Sequence, residues 1–128
     1  MALKKIILDT NFLIYCAENK VDYIEGISNL MTEGYELIVP SQVIQELEEL
    51  SQKSSKFSDR TAAWLALKIL KTNNVKTVNS PGKHADEAIF NLLRLGSIVA
   101  TLDQTLRVKI GKNNRIIVIK GIKKVDWE

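Results

Sequence analysis

Residues Lys4 to Tyr15 read KKIILDTNFLIY, an apolar run that stops abruptly at a carboxylate. Such a run marks the end of a buried strand. Ile6, Ile7 and Leu8 follow one another without polar alternation, so both faces of this strand should be covered. That is the habit of a central strand in a parallel sheet packed between helices. Asp9 then stands at the strand's carboxyl end, where open α/β sheets collect their ligands, and is a site candidate. The competing reading makes Asp9 the cap of the following helix, Thr10 to Ala17.

The pattern continues outward from this strand. Val21, Ile24, Ile27, Leu30 and Met31 place a helix over Val21 to Thr32, with Gly34 ending it. Glu36 to Val39 (ELIV) is a short strand closed by Pro40, with Ser41 as N-cap of the next helix, Gln42 to about Ser51. There Val43, Ile44, Leu47 and Leu50 form an apolar arc bordered by Glu46 and Glu48, with Glu49 opposite; periodicity does not choose between the two bordering acids. Gln52 to Ser58 (QKSSKFS) reads as a loop with Ser58 as N-cap. Thr61 to Leu70 (TAAWLALKIL) is apolar around most of its circumference and must be covered on more than one side, a subunit interface being one way.

Val75 to Val78 (VKTV) alternates like an edge strand, and Ser80 to Lys83 (SPGK) is a loop. Ala85 to Leu95 is a helix ended by Gly96, with Ala85, Ala88, Ile89, Leu92 and Leu93 on one face. At roughly 100° per residue Asp86 falls about 20° from Leu93, whereas Glu87 lies beside Arg94 on the far side. Asp86 therefore faces inward, either as an N-cap or as a site acid, and His84 is a loop residue. Ser97 to Leu102 (SIVATL) repeats the opening pattern, a strand running into an acid, here Asp103. Leu106, Val108 and Ile110 follow on a short helix or extended connection, and Arg115 to Lys120 (RIIVIK) is a last buried strand. Alternating strands and helices with right-handed crossovers imply a three-layer α/β/α sandwich with a mostly parallel sheet of about five strands. No repeat, linker or low-complexity segment divides residues 1–128, so a single domain is expected.

With 128 residues, 45% hydrophobic and 26% charged, the chain has the balance of a globular protein able to bury a core. No apolar run approaches the roughly 20 residues of a membrane span. The start, MALKKIILDT, passes straight into strand and acid without an apolar targeting segment, so a cytoplasmic location is expected. Cys16 is alone, which excludes an internal disulfide and a thiolate metal cage. The net charge of +3 is unevenly spread: Gln104 to Val125 has no acid but carries Arg107, Lys109, Lys112, Arg115, Lys120, Lys123 and Lys124. That stretch is either a polyanion-binding surface or a solvated basic face.

Asp9 and Asp103 end strands, while Glu46 and Asp86 lie in early turns of helices that follow strands. In a parallel sheet all four positions belong to one edge. Clustered carboxylates repel one another unless cations neutralise them, and oxygen-only ligand sets suit Mg²⁺ or Mn²⁺. Such a site polarises a phosphodiester and activates water.

The stretches ILDTNFLIY, VPSQVIQELEEL, HADEAIFNLLRLG and IVATLDQTLR, in this order and spacing, resemble the PIN-domain nucleases over essentially the whole chain. The resemblance implies a metal-dependent ribonuclease with Asp9, Glu46, Asp86 and Asp103 as the acidic cluster, which selects Glu46 over Glu48. Asn11 and Thr101 match polar positions that orient ligands or water beside the cluster. Thr105 stands where many members carry a further acid, which leaves a second metal without its full ligand set. The family includes VapC-type toxins restrained by an antitoxin and rRNA-processing nucleases of ribosome maturation.

A haloacid-dehalogenase phosphatase shares only Asp9, its second Asp being Asn11 here, and a receiver domain would need an acidic pair near the first strand. A PIN fold that binds RNA or protein without cutting is the alternative from another class. For RNA binding, Arg107 and Lys109 near Asp103, with Lys53 and Lys56 across the cleft, are the candidate phosphate contacts. The apolar helix at Thr61 to Leu70, together with the pairing common in the family, predicts a homodimer.

Overall fold

Residues 3–128 are described by a computed structural model; Met1 and Ala2, part of the N-terminal stretch read for a targeting segment, lie outside the described residues. The opening strand β1 (Lys4–Leu8) is hydrogen-bonded on both edges, parallel to β2 (Tyr35–Pro40) and to β4 (Ile98–Ala100). β3 (Lys76–Val78) extends the sheet beyond β2, β5 (Arg115–Lys120) extends it beyond β4, and β6 (Lys124–Trp127) closes it antiparallel to β5. The order is β3-β2-β1-β4-β5-β6. Both faces of β1 are buried: Ile6 and Leu8 belong to one cluster with Phe12, Leu13, Val43 and Ala63, whereas Ile7 packs with Ile89, Val99 and Leu106 in another. The alternation of side chains along a strand puts these clusters on opposite faces.

Four helices cover the first face: α1 (Thr10–Glu18), α2 (Tyr23–Leu30), α3 (Ser41–Lys53) and α4 (Phe57–Thr72). The short helices α5 (Ala85–Leu92) and α6 (Gln104–Ile110) cover the second. The three-layer α/β/α arrangement with a mostly parallel sheet is as the sequence implies. The strand number differs, because β6 makes six.

Lys-Val-Asp-Trp looks like a polar tail, and only its pairing with β5 makes it a strand. Its anchor is Val125, against which α2 packs so closely that a Cβ on Gly26 would lie 2.8 Å from two Val125 side-chain atoms. Cys16, 2% exposed, is a small core residue as expected, and burial pushes its thiol up to about 12.

Helix boundaries depart from the sequence reading for identifiable reasons. α2 stops at Leu30 because Met31 turns extended and packs on the core, so Gly34 does not cap it and instead accepts the Lys4 N–H through its carbonyl. Leu93 likewise leaves α5 in extended geometry, and Gly96, at φ +86, makes the turn into β4. Ser41 is inside α3, which starts after Pro40 without a side-chain cap, and α4 begins at Phe57 after Lys56 rather than beyond Ser58.

α4 buries Ala62, Ala63, Ala66 and Leu70 against α1 and α3 within the same chain. Its apolar circumference therefore needs no second copy to cover it. Phe57 and Trp64 remain exposed.

Candidate active site

The chain adds β2 and β3 to one side of β1 and then crosses back to place β4 on the other, so the switch in strand order falls at the carboxyl ends of β1 and β4. A cleft of about 590 Å³ opens there. Asp9 comes from the end of β1, Glu46 from α3, Asp86 from α5 and Asp103 from the loop after β4, and all four line this one cleft. Glu48 is exposed and does not line the cleft. Glu87 also faces solvent while Asp86 is half-buried, as the helical wheel requires.

Each carboxylate accepts hydrogen bonds, from its neighbours in sequence at Asp9, Asp86 and Asp103 and from across the fold at Asp9 and Glu46. Asp9 caps α1, Oδ1 accepting from the Thr10 N–H at 2.8 Å, while Oδ2 accepts from the Thr101 hydroxyl at 2.7 Å. The helix cap and the cleft position therefore coincide in one residue. Thr101 is fully buried; its single proton goes to Asp9, and its oxygen accepts from the Asp103 N–H at 3.0 Å. Asn11 Oδ1 accepts from the Leu102 N–H at 3.2 Å, which pins the loop that carries Asp103. Both polar neighbours thus hold the cluster's shape.

Glu46 joins two helix starts: Oε1 accepts from the Thr10 hydroxyl at 2.8 Å and Oε2 from the Ala85 N–H at 3.0 Å. This bond sets the first turn of α5, and with it Asp86, against the cleft. Gln42, 8% exposed, donates through Nε2 to the Ser80 and Gly82 carbonyls at 2.8 and 2.7 Å, tying down the loop before α5. Asp103 caps α6 through Oδ1 to the Thr105 and Leu106 N–H groups, which leaves Oδ2 without a protein donor. Asp86 is not an N-cap; its Oδ1 accepts only from the next residue's N–H, and the cap position is His84.

Asp9 is 6% exposed, and burial pushes its carboxyl up to about 6, with the Thr101 and Thr10 bonds opposing and the Asp103 and Glu46 charges adding. Glu18 also lines the cleft, and no Lys, Arg or His does. The sequence reading missed Glu18 and the anchoring roles of Thr10 and Gln42. Glu18 was accessible to the wheel applied to Asp86: Asn11, Ile14, Tyr15 and Glu18 are spaced i, i+3, i+4, i+7, and all four line the cleft. Nothing in the pattern marks Gln42, whose partners lie 38 and 40 residues away.

Two of the four candidate phosphate contacts border this cleft. Lys53 lines a hollow that shares Glu46 and Leu50 with it, and Lys109 lines another that shares Asp86. Lys56 is exposed just before α4. Arg107 does not line the cleft; its guanidinium donates to Glu128 at 2.7 Å and is only a quarter exposed. Four of the seven cations of the basic stretch, Arg107 among them, are engaged by residues just beyond it. Lys120 and Lys124 each lie 3.6 Å from Asp126, and Arg115 stacks 3.5 Å over the Trp127 ring. The Trp127 N–H, then Lys120 and Lys124, hold the Asp126 carboxyl below the usual carboxylate range.

A family described as PIN like domain matches residues 6–122. The chain belongs to that family. It is 35% identical over 123 residues to Ribonuclease VapC4 of Methanocaldococcus jannaschii, covering 94% of this chain and 92% of that protein. It is 27% identical over 112 residues to rRNA-processing protein FCF1 of Saccharomyces cerevisiae, covering 84% of this chain but 54% of that longer protein. The PIN domain endonuclease Utp24 superposes with a TM-score of 0.74 at 25% identity, over 95% of this chain and 90% of its own.

The donor set of this PIN-like cleft suits a hard divalent cation. It offers oxygen donors, carboxylates foremost, has no Lys, Arg or His among the described residues that line it, and holds one acid whose charge is already disfavoured. Among the described residues, however, no three such groups stand ready-made around one point. The fit is therefore one of donor chemistry and of a shared cleft.

Proposed function

We propose that this chain is a metal-dependent endoribonuclease that hydrolyses phosphodiesters in RNA at the Asp9, Glu46, Asp86 and Asp103 cleft, using Mg²⁺ or Mn²⁺. The observation that carries the reading is the convergence of acids from four separate elements on one cleft without a cation among its lining side chains. A bound divalent ion supplies polarisation of the phosphodiester and activation of water. Asp9, Glu46, Asp86 and Asp103 hold the ion, and Thr101, Thr10 and the Ala85 N–H fix the carboxylates that do so. Asn11 keeps Asp103 in place through the Leu102 N–H. Thr105 stands where many members of the family carry a further acid, so one metal is favoured over two. Lys53 and Lys109 flank the acids and hold phosphates on either side of them.

Two biological settings follow from the relatives: a toxin restrained by an antitoxin, and a processing nuclease working with ribosome-assembly partners. The near full-length match to Ribonuclease VapC4 favours the first, and a small antitoxin-like reading frame directly upstream would decide for it. In either setting residues 1–128 act as one domain, in the cytoplasm; no helix among the described residues is long and apolar enough to cross a membrane. A homodimer remains a proposal carried by the family resemblance alone.

The second reading, a PIN-like module that binds RNA or protein without cutting, draws on the absence of a preformed three-acid cage among the described residues. An RNA cleavage assay separates the two. The nuclease reading expects cleavage of unstructured RNA with Mn²⁺ or Mg²⁺ and none in EDTA; binding without cleavage under every metal supports the module instead.

A further inference from the structure

Three exposed aromatic side chains, Phe57 and Trp64 on α4 and Phe90 on α5, each have a cation nearby. On α4, Phe57 is 74% and Trp64 56% exposed. The Arg60 guanidinium lies 5.5 Å from the centre of the Phe57 ring, and the Lys68 ammonium 5.0 Å from that of Trp64. These residues are spaced i, i+3, i+7, i+11, so they form one stripe along the helix. Its near end abuts the cleft, because Arg60 Nη1 donates to the Ser54 carbonyl at 2.7 Å and Ser54 shares a hollow with Lys53, Glu46 and Leu50. Beyond Asp86, on the opposite side, Phe90 is 49% exposed and lines a hollow of about 440 Å³ with Lys109.

Single exposed aromatics on a surface are ordinary and need no partner. Here, though, each ring has a neighbouring cation, and residues 52–72 carry five cations, Lys53, Lys56, Arg60, Lys68 and Lys71, against the single acid Asp59. A second copy of the chain docked face to face about a two-fold axis would set these cations against one another. A polyanion with flat faces is complementary to both features: phosphates meet the cations, and bases stack on the open ring faces. Phe57 and Trp64 are two helical turns, about 10 Å, apart. The rise within a stacked duplex strand is about 3.4 Å, so the ledge suits splayed bases rather than a helix.

We propose that RNA crosses the acidic cleft as a single strand, with bases stacked on Phe90 on one side and on Phe57 and then Trp64 on the other. The inference rests on the nuclease reading above and adds the aromatics that hold the strand. Arg60 and Lys68 then serve the backbone between stacked bases, as Lys53 and Lys109 do nearer the acids.

The test is fluorescence anisotropy in Ca²⁺ with the full chain and three labelled probes: a short single-stranded RNA, the same strand with abasic residues, and an RNA duplex. Wild type is expected to prefer the base-bearing strand to both others. Phe57→Leu, Trp64→Leu and Phe90→Leu should each weaken that binding roughly tenfold while leaving the abasic affinity and the salt slope unchanged. Equal affinity of wild type for base-bearing and abasic strands would overturn the proposal, as would leucine variants that bind RNA like wild type. A dimer in light scattering that Trp64→Leu converts to monomer would also overturn it, by making the α4 face a contact between copies. No binding of any RNA by wild type would strike the nuclease reading first and this inference with it.

Discussion

Asp9 is a buried acid whose charge the metal-free protein disfavours. Its carboxyl is raised from 3.8 to about 6 by burial first, then by Asp103 and Glu46, so between those values the folded state binds more protons than the unfolded state. Stability from this group is therefore present below pH 4 and is lost as pH rises through 6, by up to about 3 kcal/mol. Metal-free Asp9→Asn should melt several degrees above wild type at pH 7.5, with the difference vanishing near pH 4. Urea melts of both proteins across that range measure it; a variant less stable at pH 7.5 would show that the charge is compensated. Mn²⁺ at pH 7.5 should raise the melting temperature of wild type by binding only the folded state, and that of Asp9→Asn far less. Equal shifts would place the ion elsewhere. Asp9 was legible because an apolar run ending in an acid is a local signal. Thr10 was not, since its partner Glu46 is 36 residues away.

At the level of elements, Gln42 is the tie that sets α5. Its two bonds to the Ser80 and Gly82 carbonyls are part-buried, so Gln42→Ala should cost about 1 kcal/mol and speed amide exchange in residues 80–85. Unchanged exchange there would mean the loop is held by Ser80, whose hydroxyl donates to the Ala88 carbonyl, and by Asn91 alone. The central strands and the helices were readable from apolar runs and their period. Helix ends were not, because Met31 and Leu93 satisfy the core in extended geometry, which ends each helix ahead of its glycine and leaves Gly96 to make the turn into β4. β6 escaped for a related reason: its strand character lies in pairing with β5 and in the close approach of Gly26 to Val125, neither of which is local.

Across the whole molecule, charge along the chain proved a poor guide to charge on the surface. The acid-free stretch from Gln104 to Val125 ends next to Asp126 and Glu128, which engage Lys120, Lys124 and Arg107. Lys53 and Lys109 border the cleft instead, so the Lys53→Ala, Lys109→Ala double variant should weaken single-stranded RNA binding in Ca²⁺ and flatten its salt dependence. Arg107→Ala should change the salt slope little; a slope as flat as that of the double variant would return Arg107 to the RNA path. On the proposed function the cleft, and not the general acidity of the chain, cuts RNA. Asp86 and Glu87 are neighbours on α5, lose the same charge on amide substitution, and differ in that only Asp86 faces the cleft. RNA cleavage in Mn²⁺ should fall at least about a hundredfold in Asp86→Asn and stay within about twofold of wild type in Glu87→Gln; similar rates in the two variants would contradict the account.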